Sequence, residues 1–168
     1  MAAVLIGEQA DKQGRAPITS EPALLWVVIA WTGLALAVVG WTDMALLWYP
    51  LLFGTPEWEF ATISACYDAM PVGTVGLILM VAGAIGRGWR GVTRTLAVVS
   101  FCIALGLVAV SVVYLLDVPL ALKGIAPPVK YVLKKAMLKA GVSAAAYTVL
   151  YAWLAWFLWR STRLVKAQ

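Results

Sequence analysis

Four stretches of the chain carry no Asp, Glu, Lys or Arg and are built mainly from apolar residues: Ala23 to Gly40, Pro71 to Ile85, Leu96 to Leu116 and Val142 to Trp159. A helix of about 20 residues crosses roughly 30 Å of hydrocarbon, so each stretch reads as one membrane crossing, the second drawing on its flanks. Membrane strands would alternate apolar and polar positions over about ten residues, and no segment does so. The pattern predicts an all-α polytopic membrane protein with four transmembrane helices near 22–49, 70–88, 94–117 and 140–160. Short amphipathic interfacial helices are expected near 56–66 and 129–139, and a single transmembrane domain over 20–166 follows an N-terminal segment, 1–19.

Local signals set these limits. Ser20, Glu21 and Pro22 suit a helix start, because free N–H groups there need an acceptor and proline has no N–H to leave unpaired. Thr55-Pro56 followed by Glu57 and Glu59 reads as another start, with Trp58, Phe60 and Ile63 placed to sink among headgroups of the outer face. Asp68 and Pro71 then read as the beginning of helix two, and Asp117-Val118-Pro119 as the end of helix three. Beyond Pro128, Val129, Leu133, Ala136, Met137 and Ala140 recur at helical spacing, leaving Lys130, Lys134, Lys135 and Lys139 largely on the remaining surface. No proline separates this amphipathic segment from helix four, so one rod is expected from Val129 toward Arg163, projecting beyond the membrane or bending at Gly141.

Composition narrows the class. Hydrophobic residues make up 63% of the 168 positions and charged residues 12%, more apolar surface than a soluble chain of this size can enclose. Near the start, Glu8, Asp11, Lys12 and Arg15 follow a short apolar patch, an order unlike a secretory signal, so helix one is expected to remain as an anchor. Eight Lys and Arg fall on the side of the termini and five on the opposite side, which places both termini in the cytoplasm of a multi-pass inner-membrane protein. The opposite side also holds Asp43, Glu57, Glu59, Asp68 and Asp117, and this balance suggests that the lysine segment folds against the acidic first loop.

Candidate chemistry is sparse. The chain has no histidine, which removes the commonest haem, zinc and copper ligand, and no phosphate-cradling glycine motif or nucleophile elbow. Cys66, placed in the outer loop, and Cys102, inside helix three, are expected to be free thiols. No metal, cofactor or nucleic-acid partner is expected; the positive charges are divided between two membrane faces rather than gathered in one groove. Asp43 and Asp117 are the candidate intramembrane ionisable groups, read as a proton or cation site, as solvated helix ends, or as partners of Lys123 or the lysine helix. Gly33, Ala37, Gly40, Gly73, Gly76 and Gly83 are candidates for close packing of helices one and two, since small residues let backbones approach in lipid. Most tryptophans and several tyrosines fall at expected boundaries as an aromatic belt: Trp26, Trp31, Trp89, Trp156 and Trp159 inside, and Trp48, Tyr49, Trp58 and Tyr67 outside. The alternative for them is contact with a pigment, quinone or lipid.

Two segments, Trp48-Tyr49-Pro50-Leu51-Leu52-Phe53-Gly54-Thr55-Pro56-Glu57-Trp58-Glu59-Phe60 and Met70-Pro71-Val72-Gly73-Thr74-Val75-Gly76-Leu77, together about an eighth of the chain, resemble a pattern in small four-helix bacterial inner-membrane proteins with a Pro-x-Trp outer loop. The resemblance implies a bacterial inner-membrane protein and brings no activity or functional residues with it. The functional expectation is a non-catalytic structural or accessory subunit of a larger complex, respiratory or photosynthetic in type. Lipid and other membrane subunits are its partners, and Lys130, Lys134, Lys135 and Lys139 its candidate contact. The alternative is a small oligomeric transporter or channel using Asp43 and Asp117. A lipid-modifying enzyme lacks a nucleophile and base at interpretable spacing.

Overall fold

The computed structural model describes residues 21–122 and 127–164. These residues form four helices, α1 (Glu21–Leu46), α2 (Pro56–Arg87), α3 (Arg90–Leu122) and α4 (Pro127–Leu164), and no strand. Each contains a stretch long and apolar enough to cross a membrane: Ala23–Leu46, Trp58–Arg87, Arg90–Leu116 and Lys134–Thr162.

The ends of the helices follow local chemistry. After α1 the chain turns through bonds from the Trp48 N–H to the Ala45 carbonyl (3.2 Å) and from the Tyr49 N–H to the Leu46 carbonyl (3.1 Å). Thr55 precedes α2 in an extended conformation without a side-chain cap bond. Instead the carboxylate of Glu59 accepts from the Gly54 N–H at 2.7 Å, one turn back. At the other end of α2, Gly88 adopts φ +73°, and the Trp89 N–H reaches the Ala84 carbonyl at 2.9 Å. This left-handed glycine stop uses up free carbonyls and lets α3 begin at Arg90.

Two expected boundaries are corrected, and the expected rod from the lysine segment into helix four is present. The segment near 56–66 is not a separate helix lying along the surface; it and the segment near 70–88 are one helix, with Pro71 inside it. Proline costs a helix one N–H bond, a loss that side chains and neighbouring helices in a bundle can make good. Here the helix continues through it; independently of that loss, the Thr74 hydroxyl donates to the Met70 carbonyl at 2.9 Å. Helix three extends from the expected 94–117 to Arg90–Leu122 and passes through Pro119. The lysine segment and helix four are one 38-residue rod.

α2 is the central element: α1 packs on α2 alone, whereas α3 packs on both α2 and α4, and α4 also touches α2. Its buried positions, Ile63, Tyr67, Met70, Thr74, Leu77, Val81 and Ala84, alternate steps of four and three without a break at Pro71. α3 and α4 bury residues at the same spacing, including Ala97, Ser100, Ala104 and Leu107, and Ala140, Ala144, Tyr151 and Leu158. A period of 3.5 keeps one narrow seam on each helix facing its neighbours, as in left-handed bundles.

The α1–α2 seam is made of small residues in antiparallel register. A Cβ placed on Gly33 would lie 2.5 Å from the Met80 backbone nitrogen, and one on Gly83 would lie 2.6 Å from the Cβ of Ala30. Gly40 meets Gly73, Gly76 meets Ala37, and Gly86 lies against the Trp26 indole. Backbone therefore touches backbone along this seam. In lipid, where apolar surface gains nothing by leaving the solvent, such contact is a main source of helix association.

Candidate functional site

Charged groups gather at two levels of the bundle. One end carries Arg87 on α2, Arg90 and Arg94 on α3, and Arg160 on α4. At the other level Lys139 of α4 and Asp68 of α2 form an ion pair at 2.7 Å, both side chains more than half exposed. A helix rises about 1.5 Å per residue, so Asp68 is roughly 28 Å along α2 from Arg87, and Lys139 roughly 31 Å along α4 from Arg160. That spacing equals one hydrocarbon thickness, about 30 Å.

All three of α2, α3 and α4 continue beyond the Asp68–Lys139 pair. From Pro56 to Asp68, and from Pro127 to Lys139, each helix adds roughly 18 Å at the usual rise. α3 runs alongside, because Tyr67 and Ser111 share a hydrogen bond of 3.2 Å and Phe60 stacks on Tyr114 at 5.3 Å between ring centroids. The result is a three-helix head. The loop between α1 and α2 packs on it through a cluster in which Trp48, Phe53 and Trp58 contact one another edge-on or tilted, at 5.7–6.0 Å.

The outside of this head is both apolar and basic. Tyr49, Leu51, Phe53 and Tyr131 are open, and Leu115, Leu116 and Leu138, exposed as well, lie at the level of the pair, Leu115 across the α3–α4 cleft from Gly141. Lys134 and Lys135 are exposed among them. The lysine candidates thus separate: Lys139 is bound to Asp68, Lys134 and Lys135 face outward, and the side chain of Lys130 lies outside the described residues. The side chain of Asp117 and all of Lys123 also lie outside them, so neither proposed pairing of Asp117 enters the description. Asp43 is exposed on α1. Continuing the register in which Gly40 meets Gly73 puts it near the level of Met70, about half a turn from Asp68.

Inside the bundle the polar groups are hydroxyls. Thr74 and Tyr151, the latter fully buried, are joined at 2.9 Å between α2 and α4. The buried oxygens of Ser100 and Tyr114 have no hydrogen-bond partner among the described residues. Tyr67, expected in the outer aromatic belt, is instead buried in the α2–α3 seam, because it occupies a core position of the 3.5 repeat that runs through Pro71. Cys66 is likewise buried within α2 rather than placed in a loop, and Cys102 is exposed on α3; both are free thiols. Among the described residues no three of His, Cys, Asp and Glu lie together as a metal-binding group.

Sequence reasoning missed the head. Its signal was present: Phe60, Ile63, Tyr67, Met70 and Thr74 already show the spacing of the helix that follows.

Comparison with family models, with curated proteins and with solved structures finds no match to this chain.

Proposed function

We propose that the chain is a non-catalytic subunit of a larger bacterial membrane assembly, which it braces by presenting its three-helix head to another protein. In this reading the hydrocarbon core lies between the arginine level and the Asp68–Lys139 pair. Hydropathy alone would extend it farther, since the apolar stretches continue to Trp58 on α2 and to Lys134 on α4. An exposed ion pair facing lipid tails would cost several kcal/mol, whereas at the boundary both groups reach water or headgroups. The pair therefore marks the edge.

The observation that carries the reading is the apolar exterior of the head beyond that edge. Tyr131, roughly 12 Å beyond Lys139 along α4, together with the loop residues Tyr49, Leu51 and Phe53, would otherwise meet water and headgroups. Contiguous apolar patches rimmed by polar residues mark contact surfaces. Lys134 and Lys135 supply such a rim and favour a partner that carries acidic residues around an apolar centre. The excess of arginine at the opposite end favours a cytoplasmic location for that end and for both termini, with the head outside.

A transport role would need ionisable groups turned into the bundle. Asp43 is instead exposed near the charged level, a position suited to a solvated helix end.

The test is extraction of the tagged chain from native membranes in mild detergent, followed by a native gel and mass spectrometry of whatever migrates with it. Co-migration in fixed ratio with another membrane protein, weakened when Lys134 and Lys135 are both replaced by Gln, supports the reading. A lone monomer or small oligomer of this chain refutes it.

A further inference from the structure

Among the described residues an open groove lies between α3 and α4 and reaches the arginine end. It measures about 610 Å³ and is bounded on α3 by Ala97, Phe101, Leu105 and Val108, and on α4 by Ala152 and Trp156 among others. Thr148 is the only polar residue along it. The volume falls in the range of about 300–1,000 Å³ typical of small-molecule sites.

The charge at its end points to the occupant. From Ala97 to Val108 on α3, and from Thr148 to Trp159 on α4, the groove runs roughly 16 Å at the helical rise, and a second cavity bounded by Val108, Ser111, Leu115, Gly141 and Thr148 continues the cleft. A cleft of that length has room for an acyl chain lying along the helices. Arg94 stands one turn before Ala97 and Val98 on the same stripe of α3, and Arg160 one turn beyond Trp156 on α4. The Arg160 guanidinium lies over the Trp156 ring, 5.5 Å from its centroid, which holds the charge at the mouth of the groove. The only carboxylate on either helix is Asp117, near the far end of α3, so no acid of α3 or α4 neutralises these arginines.

We infer that this groove binds an anionic phospholipid of the adjacent leaflet, with an acyl chain against Phe101, Leu105 and Trp156 and the phosphate between Arg94 and Arg160. An apolar cleft that ends in two cations matches the acyl chain and the phosphate of such a lipid. Basic pockets between transmembrane helices recognise acidic headgroups in this way. The site does not depend on the head or on any partner protein.

The test is native mass spectrometry of the full chain in mild detergent with phosphatidylglycerol or phosphatidylcholine added. Two arginines near the bilayer surface supply about a thirtyfold preference for the anionic lipid. The expected result is retention of phosphatidylglycerol under conditions that strip phosphatidylcholine. The preference disappears in the double variant Arg94→Gln/Arg160→Gln and persists in Lys134→Gln/Lys135→Gln. Ala152→Trp, which fills the groove, lowers retention of both lipids. Equal retention of the two lipids by the unaltered chain overturns the proposal, as does a double variant that keeps the preference. A dimer that excludes lipid would overturn it by showing that the groove receives a second copy.

Discussion

Replacing Gly33 by Ala introduces one methyl group where α1 touches α2. The new Cβ would stand 2.5 Å from the Met80 nitrogen, 2.6 Å from the Gly76 carbonyl oxygen and 2.9 Å from the Leu79 Cβ. Ordinary contact begins near 3.4 Å, so the helices must part by almost 1 Å at this level. Two of the three atoms are backbone and cannot rotate away. Overpacking of this kind costs about 1–3 kcal/mol, and rigid backbone on both sides argues for the upper figure, about 3 kcal/mol. Alanine recovers about 1 kcal/mol through its better helix propensity, leaving a net loss of about 2 kcal/mol. α1 has no other helix to lean on. The matched control is Gly106→Ala, whose Cβ would meet nothing within 4 Å and which should hold or raise stability. Unfolding in mixed micelles with increasing SDS, followed by tryptophan fluorescence, measures both. A Gly33→Ala protein as stable as the unaltered chain, with the control behaving as stated, would refute the close-packed seam.

Tyr151→Phe removes the hydrogen bond to Thr74 while Thr74 keeps its bond to the Met70 carbonyl, so the same titration should show a loss of about 0.5–1.5 kcal/mol. Asp68→Asn and Lys139→Gln, taken singly and together, should give a coupling energy below about 1 kcal/mol, because both side chains are largely exposed; a larger value would mean the pair is shielded from water and is not a boundary marker. Maleimide labelling in mild detergent should modify buried Cys66 far more slowly than in SDS, and equal rates in the two would contradict its burial on α2.

The four long apolar helices were legible because uncharged runs of sufficient length leave few alternatives for a chain this apolar. The head was not, and the reason lies in Asp68, Met70 and Pro71. A proline after an acidic residue has the form of a helix start, and the preceding turns carry Glu57, Glu59 and Asp68, so the polar content of 56–68 reads as surface. The unbroken 3.5 spacing from Phe60 through Tyr67 to Leu77 was the better guide, since a core stripe that crosses a proline in phase marks one helix. Small residues on the first two crossings identified the faces, but only the fold shows their antiparallel register, Gly40 with Gly73 and Gly33 with Met80. The groove at Arg94 and Arg160 could not be read in advance, because it depends on how α3 and α4 sit side by side rather than on either sequence alone.

The most direct test of the central claim is photo-crosslinking in native membranes from a photoreactive amino acid placed at Tyr131, on the head, and at Val39, on the outer face of α1 between the charged levels. The account predicts a discrete adduct with another polypeptide from position 131 and lipid adducts alone from position 39. Lipid adducts alone from both positions would place the start of α4 in the bilayer and contradict a head that holds a partner.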